Sequence, residues 1–452
     1  MYRIRFRRFP RLFVGFLFAV AATTGFIPPA RLIAADQPLW WKNRGVVDPT
    51  KPRNDFAVIN QGQLKTFTKA AIAEMDQHLA GGAGQPLHDL LASWAVPTST
   101  TADYAVTNVG QLKTIGWRLY DGLISAGTAT SYPWSVTVAD DSDWGIANIG
   151  QAKTLFAFDV DPRPTLVAKA AAAIDSRLLP GKDINVFDNF QSNPQPPAYV
   201  RNANCWAADL DLTSVSVWTG RYYHQYGATL ISPRHVLSSA HLPVPDEVNY
   251  HAPEWPEGAH IRFVNRNNQI VERTVKKAKL ADPNNRFYPD LAVGILDQEI
   301  NPPDGIGIVK VLPSNWNRCL QRLNPDDLPA LAFNQQKWAM VRNVSYLTVF
   351  AGFSQPTSAP RANYYGTDVV PGDSSHPAFI ILDRNVVING MTEVEHQMVL
   401  LTVWTHGGAG DGTFVSSHID RVNQLMDELS VEFGDGNHYQ LIIADLSGFK
   451  GY

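Results

Sequence analysis

The chain predicts a mainly β protein: a C-terminal half of short antiparallel strands arranged as barrels or a sandwich, closed by one helix and preceded by a small α-helical repeat region. Three observations predict it. Short apolar runs recur between turn signals through residues 198–452. A shared motif occurs three times within residues 36–160. Between the two lies a stretch, residues 161–197, that begins as an Ala-rich helix and ends in Pro, Asn, Gln and Ser, as linkers do. With 452 residues, 45% hydrophobic and 18% charged, the composition is globular and fits two or three domains.

Residues 1–35 read as an export signal. Arg3, Arg5, Arg7, Arg8 and Arg11 form a basic start, Leu12 to Ile27 is apolar with small residues, and Ala34-Ala35 offers a cleavage point before Asp36. The apolar run is short and Pro28-Pro29 closes it, so a retained membrane anchor is the weaker reading. The segment has no Cys, which argues against lipoprotein anchoring. The expected location is secreted, periplasmic or cell-surface, with no stable membrane span after signal removal. A net charge of −4 gives no electrostatic case for nucleic acid. No cofactor or metal site is expected. Cys205 and Cys319 could pair in an oxidising compartment or sit as small buried hydrophobes.

The repeats are Asp55 to Thr66, Asp103 to Thr114 and Asp143 to Thr154. Each runs Asp, aromatic, small residue, two spacers, Asn, spacer, Gly-Gln, spacer, Lys-Thr. Asn60, Asn108 and Asn148 suit helix N-caps, and Gln63, Gln111 and Gln151 fall three residues on, as in a capping box. Helices are expected over Thr66 to Leu79 and Thr114 to Leu123. The aromatic ahead of each Asn is placed to pack back onto its helix, Tyr132-Pro133-Trp134 reads as a rigid turn, and the units are expected to stack. This region resembles the Asn-x-Gly-Gln-Leu-Lys repeats at the N-termini of exported bacterial proteins, especially from the Verrucomicrobia and their relatives. The resemblance spans about residues 45–160. It implies export and surface life, and no activity; the repeats would be a spacer or adhesion module with a cell-surface partner, or a removable pro-segment. No repeat has a His or Cys near its shared residues, so no catalytic role is expected there.

In residues 161–197, Asp161-Pro162-Arg163-Pro164 breaks the third unit, Thr165 to Leu179 reads as a helix, and Pro194, Pro196 and Pro197 mark the domain boundary. In residues 198–452, strands are expected at Ala228 to Ile231, His260 to Val264, Gln269 to Val275, Leu291 to Leu296 and Met398 to Trp404, with Asn265-Arg266-Asn267-Asn268 as a hairpin connection. Ile419, Val422, Leu425, Met426 and Leu429 fall at helical spacing.

Three stretches point to acyl-transfer chemistry. Val370-Pro371-Gly372-Asp373-Ser374-Ser375-His376-Pro377 is a tight turn that can present a serine hydroxyl beside converging N–H groups. Ser238-Ser239-Ala240-His241 sets an imidazole after small residues that permit close backbone approach. Asp290-Leu291-Ala292 starts an apolar strand with an acid, which is costly there unless paired. The order His, Asp, Ser and these motifs resemble the chymotrypsin-like serine peptidases over about residues 200–430.

The resemblance implies two six-stranded antiparallel β-barrels with a C-terminal helix. It implies His241 as general base, Asp290 as its orienting carboxylate, Ser374 as nucleophile, and the N–H groups of Gly372 and Ser374 as the oxyanion hole. Asp373 would be the buried carboxylate that shapes that hole. Asp368 takes the pocket-floor position, which would favour basic P1 residues, or it is a plain loop acid. Trp404 and Thr405 would line the substrate pocket, with Gly407, Gly408, Gly410 and Gly412 opposite. The chain departs from the family in three ways. Ser375 and His376 follow the nucleophile, where Gly is usual, and Ser375 becomes a rival nucleophile. Val403 replaces a Ser near the catalytic acid. Thr405 replaces a Gly at the pocket mouth. The expected activity is serine endopeptidase action on protein or peptide substrates. The alternatives are a catalytically inactive trypsin-fold binding or adhesion protein, and ester hydrolysis at the same site.

Overall fold

A computed structural model describes residues 38–47, 54–94, 100–133, 141–190, 199–217, 227–241, 260–285, 287–320, 323, 326–388, 391–434 and 436–452. The export signal at residues 1–35, Trp134, the Pro194–Pro197 stretch and Tyr226 lie outside the described residues.

The repeats form a closed ring rather than an open stack. Helices α1 (Leu39–Asn43), α2 (Gln61–His78), α3 (Gln85–Trp94), α4 (Val109–Ser125) and α5 (Ile149–Leu155) build it. Asn60, Asn108 and Asn148 cap α2, α4 and α5, and each makes the full reciprocal box with the Gln three residues on. The segment ahead of each cap is extended, and the three segments bond cyclically. The N–H of Ile59 donates to the carbonyl of Ala147, Ala147 to Thr107, and Thr107 to Ile59, at 3.1, 2.9 and 3.1 Å. Ion pairs close the same circle: Lys65 to Asp103, Lys113 to Asp143, and Lys153 back to Asp55, at 2.6, 2.6 and 2.5 Å. The motif glycines follow from this packing. A Cβ on Gly62, Gly110 or Gly150 would lie 3.0–3.2 Å from the Cβ of Asp103, Asp143 or Asp55. Ile59, Leu64, Leu112, Ala147 and Leu155 fill the ring's core.

The aromatics do not pack onto their helices. Phe56, Tyr104 and Trp144 are 92%, 79% and 85% exposed. Phe56 lies in a turn, and Tyr104 and Trp144 end short 3-10 helices, outside the cyclically bonded residues.

Helix α6 (Leu166–Asp175), capped by Thr165, follows the ring. It is no free tether, because Leu166 and Ala170 are fully buried in a core of the C-terminal half. Ring and C-terminal half also meet directly. Arg163 donates to the carbonyls of Ser447 and Tyr452, and Lys450 pairs with Asp159 at 2.8 Å.

The C-terminal half is β-rich, and among the described residues its strands lie in three sheets. A ribbon of β1 (Phe187–Phe190) and β2 (Tyr199–Arg201) comes first. A five-stranded sheet follows: β3 (Thr229–Leu230), β4 (His235–Ser238), β5 (His260–Val264), β6 (Ile270–Leu280) and β7 (Ala292–Leu296), ordered β3-β4-β7-β6-β5. The expected hairpin at Asn265–Asn268 joins β5 to β6, with Val264 opposite Ile270. The third sheet holds β8 (Lys310–Val311), β9 (Pro329–Ala332), β10 (Met340–Leu347), β11 (Phe350–Ser354), β12 (Pro377–Ile388), β13 (Met391–Val403), β14 (Asp411–Thr413) and β15 (Ile442–Ile443). Its order is β14-β11-β10-β9-β12-β13-β8-β15. One five-stranded half-barrel and one eight-stranded sheet thus stand where two closed six-stranded barrels were expected. The parallel pairs β13–β8 and β8–β15 extend the larger sheet beyond a six-strand closure. Helix α7 (Ile419–Glu432) buries Val422, Leu425, Met426 and Leu429 in the shared core, as their spacing requires. Among the described residues no helix is long and apolar enough to cross a membrane.

The cysteines are free and buried, and desolvation raises the Cys205 thiol to about 12 and the Cys319 thiol to about 11.

Ring closure makes a specific demand. Asp55→Ala should speed amide exchange in α5, nearly a hundred residues away in sequence, by the equivalent of about 1–2 kcal/mol. Unaltered α5 exchange in that variant would mean that the first and third repeats are not coupled.

Candidate active site

The five-stranded sheet brings the first two candidate residues together. Strands β4 and β7 are antiparallel neighbours with Ser238 opposite Ala292, so His241 leaves β4 beside the point where Asp290 enters β7. Asp290 is fully buried. A carboxylate there is tolerable only when its oxygens are satisfied. Oδ1 accepts the His241 backbone N–H at 2.8 Å and Oδ2 faces His241 Nδ1 at 2.6 Å. A carboxylate accepts, so the imidazole proton lies on Nδ1 and Nε2 keeps its lone pair. That nitrogen is 2.9 Å from Ser374 Oγ. The serine arrives from the other sheet, on the turn that leads into β12.

The turn has the strain its sequence implies. Gly372 has φ +99°, and a Cβ there would press on the Gln335 amide at 2.9 Å. Gly227 is also required, since its Cβ would lie 2.4 Å from the Ser375 carbonyl oxygen. Asp373 turns under the loop, where its carboxylate accepts the N–H groups of Gln335 and Val370, both at 2.9 Å. Among the described residues neither Gly372 N–H nor Ser374 N–H donates to a protein acceptor. The site therefore holds a hydroxyl, an imidazole nitrogen within hydrogen-bond reach of it, a buried carboxylate behind the imidazole, and two unspent donors on the serine's own turn.

Ser375 occupies the position where Gly was expected, with φ +67°. Its side chain does not crowd the hydroxyl of Ser374. It is fully buried, and its Oγ receives the Ser239 N–H at 2.8 Å and meets the hydroxyls of Ser238 and Ser239 at 2.7 and 2.5 Å. The small residues before His241 thus serve as a socket for Ser375. His376 is buried too. Its Nδ1 lies 3.0 Å from the Asp373 carbonyl, which can only accept, so Nε2 is left to receive the Lys337 amine.

The substrate-pocket expectations fare differently. Trp404 is a core residue, fully buried, with its indole N–H donated to the Phe333 carbonyl at 2.7 Å. Asp368 is exposed on its loop, and its carboxylate accepts the Tyr365 hydroxyl. The Tyr365 ring in turn lies 3.8 Å from the Arg342 guanidinium. Thr405 Oγ1 is buried without a hydrogen-bond partner among the described residues. Gly412 lies where β14 approaches the end of β13, and a Cβ there would fall 2.1 Å from the Val403 carbonyl oxygen.

Sequence reasoning missed three supports. Thr413 Oγ1 accepts the Asp290 backbone N–H at 2.9 Å. Gln335 holds Asp373 through its backbone and reaches the Pro371 carbonyl through its side chain. Lys337 puts an amine in the interior beside His376 and Asp373. None carries a motif signal, because each acts through fold-dependent contacts.

Burial lowers the Lys337 amine to about 7, opposed by the charge of Asp373. Burial, and then Lys337, hold the His376 imidazole well below its ordinary range. Burial raises Asp373 against the pull of its N–H donors and of Lys337. A lysine depressed in the fold binds fewer protons folded than unfolded between about pH 7 and 10, so its contribution makes stability rise with pH across that window. Urea unfolding should show wild type gaining on Lys337→Met by up to about 1.4 kcal/mol per pH unit there. Parallel pH profiles for the two proteins would refute the depressed amine. No family model matches the chain, and no curated protein is significantly similar to it in sequence.

Proposed function

We propose that the chain is an exported serine endopeptidase of the chymotrypsin-like class, acting through Ser374, His241 and Asp290. One observation carries this reading: the unbroken sequence from the Asp290 carboxylate through both His241 ring nitrogens to Ser374 Oγ, at 2.6 and 2.9 Å. In that class the two larger sheets would correspond to the paired barrels, with α7 as the closing helix.

The chemistry follows from the atoms. His241 Nε2 takes the proton of Ser374 Oγ as the oxygen attacks the scissile carbonyl. The imidazolium so formed faces the Asp290 carboxylate, which stabilises it without taking the proton. The carbonyl oxygen, now an anion, lies toward the N–H groups of Gly372 and Ser374, each such donor being worth roughly 3 kcal/mol of barrier. His241 then protonates the departing amine, leaving an acyl group on Ser374. Water repeats the sequence in reverse roles and frees the acid.

The inactive alternative depended on Ser375 and His376. Both side chains are committed to interior partners, which supports Ser374 over Ser375 as the nucleophile. The pocket-floor reading of Asp368 has less support. Its carboxylate is exposed and already accepts the Tyr365 hydroxyl, which weakens the case for a preference for basic substrate residues.

A fluorophosphonate probe should label the wild type, label Ser375→Ala more slowly because that variant loses its buried hydroxyl contacts to Ser238 and Ser239, and not label Ser374→Ala. Asp290→Asn should lower turnover by about four orders of magnitude, since the wrong imidazole tautomer would face the serine. Cleavage of peptides as well as simple esters separates endopeptidase from esterase action. A wild type that takes no label would return the chain to the binding-protein reading.

A further inference from the structure

Two buried polar residues beneath the serine turn take no part in the proton transfer, and packing does not account for them. Lys337 is 2% exposed and His376 is fully buried. Lys337 also sits at φ +58°, a left-handed backbone that favours glycine. A buried amine on such a backbone is disfavoured twice, and a glycine would avoid both costs. Among the described residues the amine makes one hydrogen bond, to His376 Nε2.

The bonds of His376 lead to the two free N–H groups of the turn. With Nε2 accepting from Lys337, the ring proton is fixed on Nδ1. Nδ1–H and the His376 backbone N–H both donate to the Asp373 carbonyl, at 3.0 and 3.1 Å. The Ser374 carbonyl acts on the ring in the same sense. Burial, and then Lys337, hold the imidazole well below its ordinary range, so it keeps a single proton and only the tautomer can vary. The Asp373 carbonyl and the Ser374 N–H are two ends of one trans peptide group, planar, with C=O and N–H pointing in opposite directions. Two donors that draw the carbonyl inward therefore turn the Ser374 N–H outward. The Gly372 N–H is set in the same way, since its peptide partner, the Pro371 carbonyl, accepts the Gln335 side-chain amide at 3.3 Å.

We propose that Lys337 and His376 are positioning residues for the oxyanion hole: Lys337 sets the His376 tautomer, His376 clamps the Asp373 carbonyl, and the clamp aims the Ser374 N–H at the substrate's carbonyl oxygen. The inference rests on the serine-peptidase reading and carries it to residues that touch neither substrate nor reacting atoms. One relay, from Asp290 through His241, aligns the hydroxyl. A second, from Lys337 through His376 to the Asp373 carbonyl, aligns a donor. Without the amine nothing holds the ring proton on Nδ1. With the proton on Nε2, the Nδ1 lone pair would face a carbonyl oxygen, and their repulsion would rotate the peptide and swing the Ser374 N–H away.

Lys337→Met and His376→Leu, shown by circular dichroism to be folded, should lower kcat for p-nitrophenyl acetate by about ten- to a hundredfold, with KM within about twofold, because the loss is confined to the transition state. His376→Asn can donate where Nδ1 does and has no tautomer to set. It should recover most of the rate, and Lys337→Met added to it should cost little more. In the cinnamoyl-enzyme the acyl carbonyl should absorb at higher frequency in Lys337→Met and His376→Leu than in the wild type, since a carbonyl released from a donor stiffens. Should His376→Leu not fold, Lys337→Met decides alone, its linear apolar side chain filling the space of the lysine. Wild-type turnover in Lys337→Met, or an equal loss from it in the wild-type and His376→Asn backgrounds, overturns the proposal and leaves the triad standing. A fall in kcat with a raised KM and an unshifted carbonyl band marks a merely structural role and also overturns it. A wild type that takes no fluorophosphonate label overturns the peptidase reading and this proposal together.

Discussion

The buried hydroxyl cluster of Ser238, Ser239 and Ser375 is the contact on which the site depends. His241 belongs to the five-stranded sheet and Ser374 to the turn before β12 in the eight-stranded one. A separation of 2.9 Å between residues on different sheets needs a fixed joint, and the cluster is that joint. Ser375 follows the serine directly, and Ser238 and Ser239 shortly precede the histidine. The magnitudes favour serine over glycine at position 375. Holding a side chain at φ +67° costs about 1 kcal/mol, whereas the hydroxyl makes three interior contacts worth about 1 kcal/mol each. Glycine would relieve the backbone and leave two buried hydroxyls seeking partners.

A second constraint acts from below. Asp373 accepts two backbone N–H groups, and one of them belongs to Gln335, which also braces the turn at Gly372. Lys337, two residues after Gln335, sends its amine to His376 on the other side of the nucleophile. The 334–338 loop therefore grips the serine turn at both ends. The price of this arrangement is a buried amine depressed to about 7, a group that water would have kept charged. Tying the loop to the turn through interior polar bonds fixes the direction of the Gly372 and Ser374 N–H groups, which the proposed oxyanion stabilisation would need before any substrate arrives.

Much of this was legible in the sequence because local chemistry and global position agree there. The capping boxes follow from Asn and Gln three apart, α7 from its apolar spacing, and the β5–β6 hairpin from its Asn-rich turn. The positions of His241, Asp290 and Ser374 were legible through small residues, an acid entering an apolar strand and a Gly-rich turn. What was not legible depends on closure. No periodicity reveals that Lys153 returns to Asp55, since the pair is an exchange between the ends of the repeat array. The short strands β8 and β15 have too few residues to signal a sheet extended by parallel pairing. Trp404 was misplaced in the pocket because an aromatic after a strand looks the same whether its ring turns toward solvent or, as here, under Phe353 and into the core.

The aromatic positions of the repeats teach the converse lesson. A large ring one residue after an acid and four before a helix cap has two outlets, the helix it precedes or the solvent. Ring closure decides between them. The cyclic backbone bonds fix the extended segments edge to edge, and the Gly of each motif lets the neighbouring Asp settle against the helix start. The aromatics stay outside this packing, Phe56 in a turn and Tyr104 and Trp144 at the ends of 3-10 helices. Three repeats that diverge in spacing and in helix length nevertheless keep an aromatic where the fold has no use for one. Burial explains the shared Leu and Ala positions, and hydrogen bonding explains the shared Asn, Gln, Lys and Thr. Neither accounts for an aromatic ring held in water at all three positions.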